Sequence, residues 1–433
     1  MNNICLLGDV IVDVSLKNNN NELKMRLGGI IHSARALWAL DNEYELAFIS
    51  PSYLDERIKV FTPTLGNPKL IKFGKTLNSP NLILINEVKE IGDQGYELIL
   101  RDDIKFEFDN NTENLLDNVL ITWGQFDIND VLKKIDFTGK KISLEIGENT
   151  LDNLKGYKFE NIYVSTSSKI FKIFIEKNEE FIFNNFVEEF RPFCNQIILK
   201  ENRGGTRLYS FIEEKLYQVS SQTKSITHSV GVGDVFNTVF ETQKFTDIQE
   251  NLAYASFIAM EYASTTFPIN FKEAVQLYNK IDISKLKNLQ GTVLNWEKRK
   301  IINIYIAAPD FDFVNTSPIE HLHESLLYHN FTPRRPIKEN GQMQDSDSED
   351  RKKEIYLNDM KILDECTILV AVLLYNDPGT LVEIGIANER KIPILLYDPY
   401  NIAKNCMLTN SVNYISNSLE DILCEIFYYS SKL

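Results

Sequence analysis

From its first residues the chain alternates short apolar runs with amphipathic stretches. The runs ICLLG, YELAFIS, NLILINEV, NVLITW, KISLEI, ENIYVS and NQIILK are separated by segments of helical spacing, of which HSARALWAL is the clearest. That rhythm predicts βα units on a mainly parallel sheet up to about Lys280. Leu82 to Phe108 breaks it: alternating residues and glycines at Gly92 and Gly95 predict an antiparallel excursion, a small β lid. The Asn18–Asn21 run predicts a turn.

Between Ile281 and Lys300 the apolar periodicity weakens and charge rises, and then IINIYIAA restarts the βα rhythm. We place a boundary there, dividing the chain into 1–295 and 296–433. The second part predicts strands over 301–308, 367–374 and 392–397, and helices over 317–329, 350–365, 378–389 and 418–429. Continuous apolar strands between helices imply a doubly wound parallel sheet of flavodoxin or Rossmann type, covered on both faces. Arg334 to Glu354 is polar and nearly free of apolar residues, which predicts a solvated loop of the kind that also covers active sites.

Composition narrows the classes. The 433 residues are 43% hydrophobic and 25% charged, which suits two or three α/β domains and excludes a disordered or collagen-like chain. Lys and Arg total 46 against 61 Asp and Glu, a formal charge of −15, so no global field draws the protein to nucleic acid or an anionic membrane. Cys5, Cys194, Cys366, Cys406 and Cys424 lack CxxC spacing and fit reduced thiols. The N-terminus has no basic segment ahead of an apolar run, and no apolar stretch is long enough to span a bilayer. A cytoplasmic location is expected.

In the first part, His228-Ser229-Val230-Gly231-Val232-Gly233-Asp234 precedes a run of helical spacing. A glycine-rich turn feeding a helix presents free backbone N–H groups to an anion, and an Asp there can take a hydroxyl proton during phosphoryl transfer. The bland alternative makes Asp234 a helix N-cap. Together with Gly8-Asp9, Asp13 and Gly28-Gly29 ahead of HSARALWAL, the order of features over roughly 1–295 resembles the PfkB (ribokinase-like) family of sugar and nucleoside kinases. The resemblance implies a ribokinase-like α/β fold, with ATP and Mg2+ as cofactors. By it Asp13 binds substrate hydroxyls, Gly28 and Gly29 let the backbone approach substrate, Gly231, Val232 and Gly233 form the anion hole, and Asp234 is the base.

Four positions depart from the family pattern. His228 replaces the Asp that opens the late signature, and His32 stands for the substrate-side Asn. YVSTSSKIF lacks the Asn-x-x-Glu associated with magnesium and phosphate, and Asn202 replaces a Gly. Two readings follow: an ATP-dependent phosphotransferase, or a nucleotide-binding regulatory module. His32 and His228 also read as polar residues at helix starts. His321, His323 and His329 read as solvated helix positions, because residues two apart lie on different helix faces and do not converge on a metal.

In the second part, LLYNDPGTLVEIGIANERKIPILLYDP places Asp377 to cap a helix with Pro378 at its first position. Glu383 then falls within an apolar run, either on the solvent face or as a buried carboxylate able to attack a sugar C1 atom, with a second carboxyl protonating the departing group. Tyr305 in IYIAAPDF, Asn358-Asp359, the Asp377–Gly385 segment and Asn405-Cys406-Met407 resemble the nucleoside 2-deoxyribosyltransferase family across nearly all of 301–433. By that resemblance Glu383 is the nucleophile and Tyr305 positions it. Asp359 and Asp377 contact sugar or base, and Asn405 with Met407 complete a neighbouring subunit's site, which implies a homo-oligomer. The acceptor, a second base or water, stays open. No metal is expected, the partners are small nucleosides or nucleotides, and Arg334, Arg335 and Lys338 are candidates for pairing with a phosphate.

Overall fold

The computed structural model describes residues 3–16, 23–87, 89–92, 96–98, 104–109, 115–222, 226–289 and 291–433. Gly95 and the Asn18–Asn21 run lie outside these residues. Two compact units emerge, one of Met1–Lys89 with Gln94–Val293 and the other of Glu90–Asp93 with Leu294–Leu433.

The first unit is built on β1 (Ile4–Ser15), β2 (Lys24–Gly29), β3 (Tyr44–Ser50), β4 (Lys69–Leu77), β5 (Leu82–Ile85), β6 (Tyr96–Leu98), β7 (Lys105–Phe108), β8 (Asn118–Ile121), β9 (Lys141–Glu145), β10 (Phe159–Ser165), β11 (Cys194–Lys200), β12 (Thr206–Ser210) and β13 (Lys215–Val219). The main sheet runs β13-β12-β11-β10-β9-β8-β1-β3-β4-β7, parallel from β11 to β4 and antiparallel at both edges. Helices Ile30–Ala39, Val232–Glu241 and Ile248–Ser264 cover one face, burying Leu37, Val235, Val239 and Ile258 with Leu6, Leu46, Leu120 and Ile198 of the strands.

β1 does two jobs because it is long. Ile4 to Asp9 pair with β3 in the main sheet, and Val10 to Ser15 pair with β2 in a second, smaller one. β5 joins that smaller sheet parallel to β1 and antiparallel to β6, so the excursion is a mixed sheet rather than the purely antiparallel one that alternation suggested. Asp13 lies where β1 has left the main sheet.

The second unit adds β14 (Asn303–Ala307), β15 (Thr332–Arg334), β16 (Ile368–Val372), β17 (Ile394–Tyr397) and β18 (Tyr414–Ser416), ordered β15-β14-β16-β17-β18 with every pairing parallel. Alternate strand residues serve two cores. Ile304, Ile306, Val370 and Leu395 pack with Leu322, Leu326, Ile422 and Phe427 of helices Ser317–Tyr328 and Leu419–Ser430, while Tyr305, Ala307, Leu369 and Leu396 pack with Leu363 and Ile384 of helices Glu349–Glu365 and Pro378–Glu389. This is the sheet covered on both faces that the apolar runs predict. The strand order reverses direction between β14 and β16, the place where open α/β sheets leave a crevice at the strand carboxyl ends.

Two expectations change here. Arg334 to Glu354 is not one loop: it holds the helix Pro336–Asn340 and the start of helix Glu349–Glu365. His329 is not solvated. It is fully buried, its Nε2 lies 3.1 Å from the Ile91 carbonyl, and Ile91 belongs to the same apolar cluster as Leu322 and Leu326. Its place one turn beyond Leu326 on the inward face explains the burial. Among the described residues no helix is long and apolar enough to cross a membrane.

Candidate functional site

The crevice of the second unit gathers three acids and a phenol. Asp377 ends the β16 connection and caps helix Pro378–Glu389, accepting from Thr380 N at 2.7 Å and Thr380 Oγ1 at 2.9 Å. Pro378 takes the first helical position, where its missing N–H costs nothing. Further along this helix, Glu383 turns inward instead of to solvent. Its Oε1 accepts a hydrogen bond of 2.5 Å from the hydroxyl of Tyr305, a fully buried residue of β14.

Burial pushes the Glu383 carboxyl up to about 7; the Tyr305 hydrogen bond opposes this, and the charges of Asp359 and Asp377 add to it. Asp359, on helix Glu349–Glu365, is also raised by burial, against a bond from Asn340 Nδ2 to its Oδ1 at 2.7 Å. Carboxyls held at higher proton affinity by burial are suited to nucleophilic and proton-transfer work near neutral pH. Asn405 caps the short helix Cys406–Asn410 by accepting from Met407 N at 2.8 Å, and both residues are exposed, Met407 at 75%.

The basic residues offered for a phosphate are largely committed elsewhere. Arg334 is bound bidentately by Glu339 at 2.7 to 3.0 Å and reaches Glu365 at 2.9 Å. Arg335 is held by Asp310 at 2.9 Å and by Glu320 at 2.7 and 2.8 Å, leaving Lys338, 3.9 Å from Asp310, as the less committed cation.

In the first unit the sequence-predicted residues do come together, but their own neighbours engage them. Asp13 Oδ2 accepts from Nε2 of His32 at 2.9 Å and lies 3.5 Å from Nε of Arg26, its cross-strand partner on β2. His32 Nδ1 accepts from the Tyr262 hydroxyl at 2.6 Å, which with Arg35 at 3.3 Å assigns the neutral Nε2–H tautomer. Burial agrees, lowering His32 to about 4 although Asp13 pulls the other way. Arg26 Nη2 also reaches the Val230 carbonyl at 3.3 Å and Nδ1 of His228 at 3.4 Å, and burial holds His228 down to about 3. Both histidines are therefore buried hydrogen-bonding groups; His32 does lie in the first turn of helix Ile30–Ala39, while His228 precedes helix Val232–Glu241 by four residues.

The glycines make that packing sterically possible. A Cβ on Gly28 would lie 2.2 Å from the Asp13 carboxylate oxygens, and one on Gly231, whose φ is +79°, would lie 2.3 Å from the His32 ring. Gly29 brings the backbone against the Asp9 carbonyl, 2.4 Å from where its Cβ would be. Gly231 is the N-cap of helix Val232–Glu241, so Val232 and Gly233 open the helix and Asp234 lies in its first turn without capping it. This overturns the plain-cap reading of Asp234.

Asp234 instead belongs to a cluster the sequence did not reveal. Glu145, at the end of β9, receives Lys200 Nζ at 2.7 Å from the end of β11 and hydrogen-bonds with Asp234. Burial and then the Glu145 charge raise Asp234 well above the usual carboxyl range. Burial would raise Glu145 as well, but the Lys200 ammonium and the hydrogen bonds to Glu145 outweigh it and the net direction is down. The two carboxyls therefore titrate as a pair, with Asp234 pushed up and Glu145 held down. Lys200 Nζ is 3.0 Å from where a Gly233 Cβ would sit, so the bare helix start and a cation face the same point. Glu145 already pairs with this cation and its Oε1 lies 4.0 Å from the same point, so a phosphate at the helix start would compete with that carboxylate for Lys200. Among the described residues no three His, Cys, Asp or Glu side chains are grouped to hold a metal.

Residues 304–416 match the family model described as Nucleoside 2-deoxyribosyltransferase. Structural comparison aligns the chain with an archaeal nucleoside kinase of the ribokinase family from Methanocaldococcus jannaschii, at 13% identity and TM-score 0.44, covering 65% of this chain and 99% of that one. The tetrameric inhibited form of phosphofructokinase-2 from Escherichia coli aligns at 11% identity and TM-score 0.46, over 64% and 99%. A fructokinase with bound ATP from Xylella fastidiosa aligns at 10% identity and TM-score 0.47, again over 64% and 99%. No curated protein sequence matches the chain.

Proposed function

We propose that the second unit cleaves the N-glycosidic bond of nucleosides, with 2-deoxynucleosides as the leading class, through a covalent glycosyl-enzyme intermediate on Glu383. The observation that carries this reading is the buried Tyr305–Glu383 bond, which aims one carboxylate while two more acids stand close enough to perturb it. The match of 304–416 to the deoxyribosyltransferase model supports it.

In this reaction the Glu383 carboxylate forms an ester bond at the sugar C1 atom as the C1–N bond breaks. The bonding pair leaves with the base, which takes a proton from Asp359. A second base, or water, then attacks C1; the ester oxygen departs as carboxylate, and the nucleophile's proton returns to Asp359. Tyr305 steadies the carboxylate before attack and after release. Asp377, fixed by its cap, lines the crevice for sugar or base contact, and exposed Asn405 and Met407 serve a second copy of the chain in a homo-oligomer, in the cytoplasm.

The test incubates the protein with deoxynucleosides and their 5′-monophosphates, with and without a second base, beside Glu383→Ala. Base exchange lost in the variant establishes a transferase, and base release without an acceptor establishes a hydrolase. Unchanged turnover in Glu383→Ala overturns the reading.

For the first unit, the PfkB-like motif order supports an ATP-dependent phosphotransferase or a nucleotide-binding regulatory module. The self-engaged Asp13 favours the second, since His32 and Arg26 hold the carboxylate that a substrate hydroxyl would need. Lys200 and the helix start at Gly231 to Gly233 would hold the phosphates of ATP. ATP would supply an electrophilic phosphoryl group there, and Asp234, whose proton affinity burial and the Glu145 charge raise, would be the group facing it.

A further inference from the structure

Asp359 is reached by a side chain from the segment that sequence patterning treats as solvated. Asn340, the last residue of helix Pro336–Asn340, donates from Nδ2 to Asp359 Oδ1 at 2.7 Å. Its helix is clamped at both ends. Arg334 grips Glu339, whose Oε1 also takes the Arg335 backbone N–H at 3.0 Å, and Arg351 Nη2 donates to the Asn340 carbonyl at 3.0 Å. Arg351 lies eight residues before Asp359 on the same helix, so backbone and side chain of Asn340 are tied to one rigid element. Gly341, with φ +89°, ends the short helix in a conformation that side chains rarely adopt.

An amide N–H directed at one carboxyl oxygen leaves the proton to the other oxygen and stabilises the ionised form. For an acid that gives its proton to a departing base, that stabilisation grows as the bond breaks, when negative charge appears on the carboxyl. Resting on the assignment of Asp359 as proton donor, we propose that Asn340 is a positioning residue of the glycosyl site, tying down Oδ1 so that Oδ2 delivers the proton and holding the carboxylate that remains. As the Asp359 O–H bond breaks, an N–H bond forms on the base, the C1–N pair passes to the base, and the Glu383 ester forms.

Asn340→Ala, Asp359→Asn, the double variant and Glu383→Gln test this in the full-length protein. With an ordinary deoxynucleoside, Asn340→Ala is expected to lower kcat by about tenfold or more, with KM changed by less than about threefold. With a 7-methylated purine deoxynucleoside, whose base departs without needing a proton, the loss should largely vanish; a merely structural disturbance lowers both alike. The two single effects should not add in the double variant. Independently of turnover, carbon-13 NMR of labelled Asp carboxyls, with Asp359 assigned by its loss in Asp359→Asn, should show that carboxyl titrating at a pH higher by about 1 in Asn340→Ala. An unmoved titration, equal losses on both substrates, or additive effects overturn the inference. Full turnover in Glu383→Gln instead removes the glycosyl reading on which it rests, while an inactive Glu383→Gln beside a wild-type-like Asn340→Ala removes this inference alone.

Discussion

The hydroxyl of Tyr305 on β14 donates to Glu383 at 2.5 Å, joining a central strand to the helix that follows its neighbour β16. This bond favours ionised Glu383 against the burial that opposes it. Tyr305→Phe removes the donor at little cost in shape, so Glu383 should titrate higher and fewer molecules carry the nucleophile. Below the titration point, a tenfold gain in proton affinity cuts the ionised fraction about tenfold, so kcat/KM should fall by about that factor at pH 6 and by less at pH 8. Base release measured at both pH values decides it; a loss independent of pH would mean that the hydroxyl acts other than on this carboxylate.

Gly231 and His32 occupy the same space in the first unit. A methyl group at Gly231 would meet the His32 ring at 2.3 Å on a backbone at φ +79°, so Gly231→Ala adds overpacking to backbone strain. The expected loss is about 2 to 4 kcal/mol in denaturant unfolding. His32→Ala also destabilises, because it leaves the buried Asp13 carboxylate without its closest donor. The double variant should be more stable than the sum of the two predicts, by about 1 kcal/mol, since the clash is then gone. Strict additivity would show that the contact is relieved by backbone movement.

Nucleotide handling follows from Lys200 and from Asp13 being engaged by His32 and Arg26. Titration calorimetry with ATP should give saturable binding that weakens by about tenfold in Lys200→Ala, the loss of one charge-assisted contact. No hydroxyl compound should be phosphorylated by the wild-type chain. ATP consumption abolished by Asp234→Ala would overturn the regulatory reading and restore the phosphotransferase.

Much of this was legible because the signals were local. The runs YELAFIS and NQIILK became β3 and β11, and the Asp377-Pro378 pair marked a helix start that the structure reproduces. Short elements were harder. TPR became a three-residue strand despite its proline, and helix Pro336–Asn340 was masked by polar composition, although Pro336 at its start and Gly341 past its end were readable punctuation. What no pattern could supply was partnership across the fold. Glu145 and Lys200 are 55 residues apart, and Asp13 meets His32 and Arg26 only because β1 bends out of the main sheet to pair with β2. A lone histidine or lysine carries no record of which buried carboxylate will claim it.

Glu383 also makes stability depend on pH in a calculable sense. Its folded carboxyl titrates at about 7 against 4.5 for an ordinary one, so between those values the native state binds the proton that the unfolded chain has released. Stability therefore falls as pH rises through that window and stays lower above it. The cost at pH 8 is about 3 kcal/mol, because each tenfold difference in proton affinity between the folded and unfolded carboxyl is worth about 1.4 kcal/mol. Glutamine is neutral at every pH and keeps an oxygen to accept from Tyr305. Glu383→Gln should therefore match the wild type near pH 4 and exceed it progressively above pH 5, with the higher Tm at pH 8. Subtracting the two proteins at each pH cancels every other titrating group to first order, so a Tm difference that stays flat from pH 4 to 8 would show that the carboxylate is not strained by its crevice, and with it would go the electrostatic basis for treating Glu383 as a poised nucleophile.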